Sequence, residues 1–305
     1  MNSKVINNTQ KTQEIKYKPI ERWKSFNRQE KIILPIIHLV LMILAIWVLL
    51  PPIFCLINSF KTVQEFNNDA LSFPTVWQWV NYKNAFEMTY RNTNLIQMFL
   101  NSLIFTITFS LGNIGSSCLA AYVLCKYRFR GRKVIYAVAI IVQILPIFGG
   151  GGASYKLVSD LGLTDNLWLL WITGCNGFDY TFLIVYSYFE NVSWEYSEAA
   201  QIDGAGNFYI FIRIMMPMVS PAVLTMWLSA VIGLWSDYMT PMIYLQWTPT
   251  LAAGLFNLKS LASFTTGGQV TYFAALIIAC IPIIILYTLL QKKIFSINME
   301  GGIKG

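Results

Sequence analysis

The stretch Glu198-Ala199-Ala200-Gln201-Ile202-Asp203-Gly204-Ala205-Gly206, followed after six residues by Arg213-Ile214-Met215-Met216-Pro217, lies between two long apolar segments. It is polar and acidic and contains glycine, but it is still patterned for helix. Acidic loops are unusual next to membrane spans on the cytoplasmic side, because lysine and arginine dominate there. A helical segment of this polarity therefore predicts a docking surface for a soluble partner.

The composition of the whole chain is that of a membrane protein. Hydrophobic residues make up 55% of the 305 residues, charged residues make up 12%, and the mean hydropathy is +0.51. A soluble domain carries about 25% charged residues, so most of this chain lies in lipid. The net charge of +7 does not indicate nucleic acid binding, because the basic residues cluster at the ends of apolar runs, where membrane topology requires them.

Six apolar segments are long enough to span a bilayer, which takes about 20 mostly apolar residues. They are residues 34–57, 99–124, 134–152, 167–189, 218–245 and 271–290. The third is the weakest, because Pro146 and the glycines at 149–152 interrupt its outer end. Such a break requires protein or a water-filled cavity around the backbone. The pattern predicts an all-α membrane protein with six transmembrane helices.

Lysine and arginine set the orientation of these six segments. Both tails, the loop after the second span and the acidic loop together carry 17 of the 22 basic residues, and the opposite side carries five. By the positive-inside rule, both termini are cytoplasmic. The predicted organisation is an N-terminal tail (1–33), a first span (34–57), an external loop (58–98), a five-span core (99–290) that contains the acidic loop (190–217), and a C-terminal tail (291–305).

The acidic loop is expected to form an elbow of two short helices. Ser193 is a good N-cap for a helix from 194 to about 202, and Asp203-Gly204 is a stop signal, because glycine accepts the left-handed conformation at a helix end. A second short helix is expected from about 207 to 216, and Pro217 marks the start of span five. An ordinary connecting elbow would show the same spacing.

Enzymatic chemistry is not supported by the residues present. His38 is the single histidine, and the five cysteines lie within or at the edges of spans without a CxxC spacing, as small apolar fillers do. No catalytic triad, metalloprotease motif or pair of catalytic carboxylates can be assembled, and the P-loop spacing is absent. The chain is thus expected to need no cofactor, and any ATP and Mg²⁺ would be bound by another subunit.

The elbow resembles the coupling-helix signature of permease subunits of binding-protein-dependent ABC importers. That signature reads Glu-Ala-Ala, three residues, Gly, nine residues, Ile, one residue, Leu, Pro. Its positions are filled by Glu198, Ala199, Ala200, Gly204, Ile214, Met216 and Pro217, with Met216 in place of leucine as the one departure. The resemblance implies that the elbow inserts into a cleft of the ATP-binding subunit, with Glu198 as a polar contact and Gly204 as the turn. Asp203 and Ala205 fit the common Asp-Gly-Ala variant.

Weaker elements resemble the carbohydrate branch of that family. Trp235-Ser236-Asp237-Tyr238 is similar to its Trp-Asn-Asp-aromatic element in span five, with Ser236 as the departure. Residues 249–255 are similar to its last external loop, which contacts the sugar-binding protein, and the tail 301–305 is similar to its small-residue terminus. The resemblance implies the maltose-type permease architecture of type I importers, a bacterial-type plasma membrane location, and sugar or oligosaccharide as the solute.

Polar groups within the spans could line a solute pathway. Ionisable residues inside a membrane are functional candidates, and Asp237 beside Trp235 and Tyr238 suits sugar hydroxyls and ring faces. A buried structural acid is an equal alternative for Asp237 and the favoured one for Asp179. Asn176 is a further candidate for the pathway.

Three functions remain to be compared. The first is a non-catalytic translocation subunit that pairs with a second homologous permease, receives solute from an extracellular binding protein and is driven by two cytoplasmic ATP-binding subunits. The same assembly could carry a non-sugar solute. The second is a self-contained secondary transporter or channel that uses Asp179 and Asp237. It would predict inverted repeats, for which no convincing internal symmetry is present, and it leaves the elbow unexplained. The third is a membrane enzyme, which the missing catalytic sets disfavour.

Overall fold

The computed structural model of the chain describes residues 27–145, 151–262 and 268–301. These residues divide into two compact units, one ending at Phe54 and the other beginning at Cys55. The helices are α1 (Arg28–Ser59), α2 (Val63–Asn68), α3 (Val80–Glu87), α4 (Leu95–Lys126), α5 (Arg132–Ile144), α6 (Gly151–Asp160), α7 (Tyr180–Asn191), α8 (Glu195–Ile202), α9 (Asn207–Ile210), α10 (Met216–Ser236), α11 (Met239–Tyr244), α12 (Leu251–Ala262) and α13 (Gly268–Gly301). A 3₁₀ helix (Leu170–Gly174), a π-helix (Phe211–Met215) and a hairpin of β1 (Thr89–Tyr90) and β2 (Thr93–Asn94) complete the described elements.

Four helices of the described chain are long and apolar enough to cross a membrane: Gln29–Ser59, Leu95–Lys126, Asn207–Ser236 and Gly268–Leu289. The first contains the predicted span 34–57, and its apolar side chains, such as Trp47 at 73% exposed, are open along its length. That exposure suits a helix surrounded by lipid. The ring of His38 in α1 lies 2.7 Å from the carbonyl of Leu34, one turn away on the same helix.

The segment predicted as an external loop, 58–98, has a compact structure of its own. Thr62 and Glu65 form a capping box at the start of α2, with the Thr62 hydroxyl accepting from the Glu65 N–H at 3.2 Å and a Glu65 oxygen accepting from the Thr62 N–H at 3.0 Å. Thr75 also donates to Glu65 through its side chain and backbone. The hydrogen bonds from Thr75, followed by those from Thr62, lower the pKa of the Glu65 carboxyl to about 2.

The hairpin places the start of α4. Arg91 and Asn92 occupy its two-residue turn with φ values of 48° and 61°, the backbone that a tight hairpin of this length requires. Asn94 then caps α4 in a second capping box, accepting from the Gln97 N–H at 2.9 Å. The turn is held by Arg91, whose guanidinium donates to the Gln246 carbonyl at 2.7 Å and lies over the Trp247 ring.

Helix α4 is the centre of the second unit and packs against α7, α10, α12 and the 3₁₀ helix. Three of its small residues make the close contacts that membrane helices use for packing. Ser102 accepts from the Leu251 N–H at 2.7 Å, Ser110 accepts from the Trp227 indole at 3.1 Å, and Ser117 donates to Asp179 at 2.7 Å. The core of the unit is therefore held together by hydrogen bonds of serine hydroxyls as well as by the packing of apolar side chains.

The third and fourth predicted spans differ from single long helices. The third, 134–152, corresponds to the 13-residue α5 and the first two residues of α6. Of its predicted break at Pro146 and the glycines 149–152, residues 146–150 lie outside the described residues, and Gly151 and Gly152 begin α6. The fourth, 167–189, is wrong as one helix, because it is divided into the 3₁₀ helix and α7. The physical reason is the polar turn between them, where Gly177 has a φ of 70° and Asp179 caps α7. The fifth, 218–245, is likewise divided after Ser236 into α10 and α11.

The segment compared with the last external loop, 249–255, contains the start of a helix. These residues begin α12, and Leu251, Ala253 and Leu255 are buried against α4 and α13. A Cβ added to Gly254 would lie 2.1 Å from the sulfur of Met98 on α4. Gly254 thus serves close helix packing, because a larger residue would hold α12 further from α4.

Candidate functional site

The first helix of the elbow begins one residue later than expected. Helix α8 starts at Glu195, and Trp194 occupies the N-cap position without a side-chain cap. The predicted cap residue, Ser193, accepts from the Glu195 N–H at 3.3 Å, two residues on, which is the bond that an N-cap side chain makes. The carbonyl of Trp194 accepts from the N–H groups of Ser197 and Glu198 at 2.8 and 3.2 Å. The chain therefore turns out of α7 and into α8 within three residues.

The turn expected at Asp203-Gly204 is present. Gly204 has a φ of 83°, its N–H donates to the Gln201 carbonyl at 3.0 Å, and the Ala205 N–H donates to the Ala200 carbonyl at 2.9 Å. This pair of bonds is a Schellman motif, which closes a helix when the residue after its C-cap adopts the left-handed conformation. A side chain at 204 would meet nothing within 4 Å, so the glycine is required by the backbone and not by packing.

The second half of the elbow differs from the expected short helix ending at Pro217. Helix α9, the π-helix and α10 run on as one 30-residue helix, Asn207–Ser236. Pro217 sits in the first turn of α10, directly after the π-turn, where the Met216 N–H donates to the Phe211 carbonyl five residues back. Proline has no N–H and its ring crowds the preceding turn. The wider π-turn accommodates it without breaking the helix.

The inner face of the elbow is packed onto the end of α4. Buried residues of this face are Ser197, Ala200, Ile210, Phe211 and Met215. The ring of Phe211 lies 4.9 Å from that of Tyr122 on α4, and Trp194 lies edge-on to Tyr127 at 6.0 Å. The ammonium of Lys126, the last residue of α4, donates to the carbonyl of Val192. Aromatic contacts and a cation thus fix the elbow to the central helix.

The outer face of the elbow is open to solvent and combines acids with large apolar side chains. Glu198, Ala199 and Asp203 are exposed, as the sequence predicted for a docking surface. Ile202 is 86% exposed and Phe208 is 71% exposed, and neither was identified from the sequence. Ile202 lies between Gln201 and Asp203, and that isolation was the available signal, whereas Phe208 begins an apolar run and gave none. Exposed apolar groups rimmed by polar ones are typical of protein interaction surfaces.

The remaining predicted coupling residues serve the inner face or its border. Ala200 is buried, so of the two alanines expected to admit a partner only Ala199 is open. Ala205 and Ile214 are half-buried against the apolar cluster that contains Phe211 and Met215. Pro217 is exposed.

A cavity of about 730 Å³ lies beside the elbow, where it meets the basic loop after α4. Lys126, Arg128 and Arg132 contribute positive charge to its wall, and Glu190 and Glu198 contribute negative charge. The acidic elbow and the basic loop therefore lie at the same end of the second unit. Their opposite charges stabilise this arrangement only modestly at a solvated surface.

Asp179 has its hydrogen bonds satisfied by neighbouring groups. Its carboxylate accepts from the Asn113 amide at 2.8 Å, from the Ser117 hydroxyl at 2.7 Å and from the Phe182 N–H at 2.9 Å. It caps α7 and ties that helix to α4. This geometry agrees with the structural alternative that the sequence favoured for Asp179 and leaves little of the carboxylate to bind a cation.

The candidate pathway residues are divided between two places. The indole of Trp235 donates to the Ala279 carbonyl at 3.1 Å, and Asp237 caps α11 by accepting from the Met239 and Thr240 N–H groups at 2.9 and 3.1 Å. Tyr238 is stacked on Phe256 with 4.3 Å between ring centroids. Asn176 lies in the turn before α7, where its side chain accepts from the Phe178 N–H at 3.1 Å. Among the described residues, the contacts of Asn176 do not include Trp235, Asp237 or Tyr238.

No cluster of three or more His, Cys, Asp or Glu side chains that could hold a metal ion occurs among the residues that the structure describes. The five cysteines are free thiols, scattered over α1, α4, α13 and the turn before α7.

The fold and the elbow together define a class of protein: a multi-pass helical membrane protein that presents an amphipathic elbow outside its helix bundle. The family model described as binding-protein-dependent transport system inner membrane component matches residues 112–296, and the chain belongs to that family. It is thus a membrane-spanning translocation subunit of an ATP-driven solute importer, and the subunits of this family are not catalytic.

Relatives of known name are similar over most of the chain. The maltodextrin transport system permease protein MdxG of Bacillus subtilis is 30% identical and is covered over 95% of its length by 88% of this chain. The diacetylchitobiose uptake system permease protein NgcG of Streptomyces coelicolor is 26% identical, with 87% of each chain covered. A chain of the crystal structure of a bacterial ABC transporter involved in the import of the acidic polysaccharide alginate has the same fold, with a TM-score of 0.74, 22% identity and coverage of 88% of this chain and 98% of that chain.

Proposed function

We propose that the outer face of the elbow, between Glu198 and Pro217, docks onto a cytoplasmic ATP-binding subunit. The observation that carries this proposal is that the elbow exposes two large apolar side chains, Ile202 and Phe208, together with the acids Glu198 and Asp203. Apolar anchors surrounded by polar groups are the usual composition of an interface core and rim. Glu198 is the polar contact and Ala199 permits close approach.

Movement of the docked partner would reach the membrane helices through two connections. The first is the continuous helix from Asn207 to Ser236, which joins the elbow to α10 without a flexible joint. The second is the contact of the elbow with the end of α4, through Phe211 on Tyr122 and Lys126 on the Val192 carbonyl. Because α4 packs against α7, α10 and α12, a push on the elbow acts on most of the second unit.

We infer a topology of six spans with both tails cytoplasmic, organised as 1–33, 34–57, 58–98, 99–290 with the elbow loop 190–217, and 291–305. The four long helices supply spans one, two, five and six, and the broken segments around α5–α6 and α7 supply spans three and four. Single cysteines introduced at Asn68 and Asn207, both exposed, test this in a variant without native cysteines. An impermeant thiol reagent should label Asn68→Cys from outside and Asn207→Cys only after permeabilisation. The reverse pattern would refute the topology.

The proposed assembly contains a second homologous permease subunit, two cytoplasmic ATP-binding subunits that hold ATP and Mg²⁺, and an extracellular solute-binding protein. Its solute is proposed to be a sugar or oligosaccharide, because the relatives named above are permeases for maltodextrin and diacetylchitobiose. Tyr238 stacked on Phe256 offers an aromatic face of the kind that sugar rings pack against. A self-contained transporter based on Asp179 is not favoured, since that carboxylate is satisfied by its neighbours.

Charge reversal at Glu198 tests the docking proposal. The variant Glu198→Arg should insert normally but lose uptake and weaken association of the ATP-binding subunit, because it removes the acid from the proposed contact and adds a cation. The matched control is Glu87→Arg, which makes the same charge change at an exposed residue at the end of α3. Wild-type uptake with Glu198→Arg, or an equal loss with Glu87→Arg, would refute the docking role.

A further inference from the structure

A second cavity, of about 850 Å³, opens between the loop after α4, the start of α5 and α7. One part of its wall is cationic and is made by Arg128, Arg132 and Lys133. The other part is aromatic and aliphatic: Phe129, Val134, Tyr136 and Tyr186. Two of these lining residues, Tyr136 and Tyr186, are stacked, with 4.5 Å between their ring centroids. The lining therefore combines cationic side chains with aromatic and aliphatic ones.

Two acids, Glu190 and Glu198, line the cavity of about 730 Å³ beside the elbow, with which this second cavity shares Arg128 and Arg132. The lining of the second cavity contains no Asp or Glu, and the loop from Lys126 to Lys133 contains no acid either. Within the described parts of the chain, Arg128, Arg132 and Lys133 form no side-chain ion pair. Two guanidinium groups converging on one cavity bind oxyanions well, because each presents planar N–H donors that match phosphate oxygens.

The apolar part of the lining continues along an exposed face of α5. Val134 lines the cavity, and Val138, Ile141 and Val142 follow it at helical spacing, so that all four fall on one face of the helix. All four side chains are exposed. A ligand with a charged head and a long hydrocarbon tail would place its head among the arginines and its tail along this face. A free inorganic anion would use only the cationic part of the lining.

We propose that this cavity binds the phosphodiester headgroup of an anionic phospholipid, with an acyl chain lying along α5. Basic pockets between membrane helices at the bilayer surface are known to hold such headgroups. The inference does not depend on the docking role of the elbow, since the cavity is formed by α5, α7 and the loop after α4. The bound lipid would brace the same loop whose Lys126 holds the elbow through the Val192 carbonyl.

Lipid retention by the full-length chain tests the proposal. The wild-type protein is equilibrated in detergent with equal amounts of phosphatidylglycerol and phosphatidylcholine of the same acyl chains, and bound lipids are counted by native mass spectrometry. Preferential retention of phosphatidylglycerol is expected. The variant Arg132→Gln should reduce that preference about five-fold, the usual effect of one cation at an anionic membrane surface, and Arg132→Lys should preserve most of it.

The matched control is Arg130→Gln, because Arg130 belongs to the same loop and is exposed but does not line the cavity. This variant should keep the preference for phosphatidylglycerol within about two-fold of that of the wild type, a smaller change than the loss of a direct cation contact would cause. Equal retention of both lipids by the wild type would overturn the proposal without the need for any variant. The proposal would also be overturned if Arg130→Gln reduced the preference for phosphatidylglycerol as much as Arg132→Gln does. If excess inorganic phosphate displaces phosphatidylglycerol, the site is one for a soluble anion and the lipid proposal is overturned as well.

Discussion

The turn of the elbow depends on one residue in the left-handed conformation, Gly204. The variant Gly204→Ala measures how much that conformation contributes to the affinity of docking. Gly204 has a φ of 83°, and a Cβ there would touch nothing within 4 Å. The substitution therefore adds only the backbone penalty for an L-residue in this region, about 1–2 kcal/mol. In the free protein the variant can relax by giving up the two Schellman bonds, and docking must then restore them. The expected weakening of docking is up to about 5- to 30-fold.

Two further variants separate the backbone effect from other effects. Gly206→Ala is the matched control, because Gly206 lies two residues away with a φ of −72° and an equally open Cβ position. It should bind almost as the wild type does. Gly204→Asn should recover part of the loss, because asparagine adopts the left-handed conformation more readily than alanine.

The assay is a titration of the ATP-binding subunit onto the reconstituted permease, with the Kd and the solute-stimulated ATP hydrolysis measured for each variant. The expected order of affinity is wild type and Gly206→Ala first, then Gly204→Asn, then Gly204→Ala. If Gly204→Ala and Gly206→Ala bind equally, the left-handed turn has no part in docking. If Gly204→Asn is no better than Gly204→Ala, the loss arises from something other than backbone conformation.

Two more predictions concern carboxylates outside the elbow. Asp179→Ala removes a helix cap and the bonds from Asn113 and Ser117, and should lower the free energy of unfolding in detergent by about 2–4 kcal/mol; an unchanged melting temperature together with lost uptake would instead support an ion-binding role. Folding lowers the pKa of Glu65 from 4.5 to about 2. The ionised carboxylate therefore contributes fully to stability above pH 4.5, and this contribution is lost as the pH falls through about 2. Trp77 and Trp79 pack against Phe60, and their fluorescence should report that loss on acid titration. Glu65→Gln should abolish the pH dependence of this signal.

Local signals in the sequence were sufficient for the long helices and for the elbow turn. Apolar runs of more than 20 residues predict spans whatever their neighbours are, and Asp203-Gly204 stops a helix through its own backbone preference. The family resemblance rested on seven positions of the elbow and is confirmed by the family match. These features need no knowledge of tertiary contacts.

The features that the sequence did not predict depend on contacts between distant residues. The break before α7 is made by Asp179, whose partners Asn113 and Ser117 lie more than 60 positions away. Gly254 is buried because Met98, more than 150 positions away, packs onto it. Ala200 and Ala199 are chemically identical, and only the fold decides that one faces the core and the other faces solvent.

The π-turn at Phe211–Met215 has a consequence for how the elbow is aimed. A π-turn contains one residue more than the α-helical turn it replaces, and each residue of an α-helix advances the chain by about 100° around the axis. Removing a single residue from this turn would restore regular winding and swing α8, with Glu198 and Ile202, about a quarter of a circle around α10. The direction in which the whole docking surface faces is thus set by the one extra residue of this π-turn. A one-residue insertion or deletion at this turn would therefore redirect the subunit toward a different partner geometry.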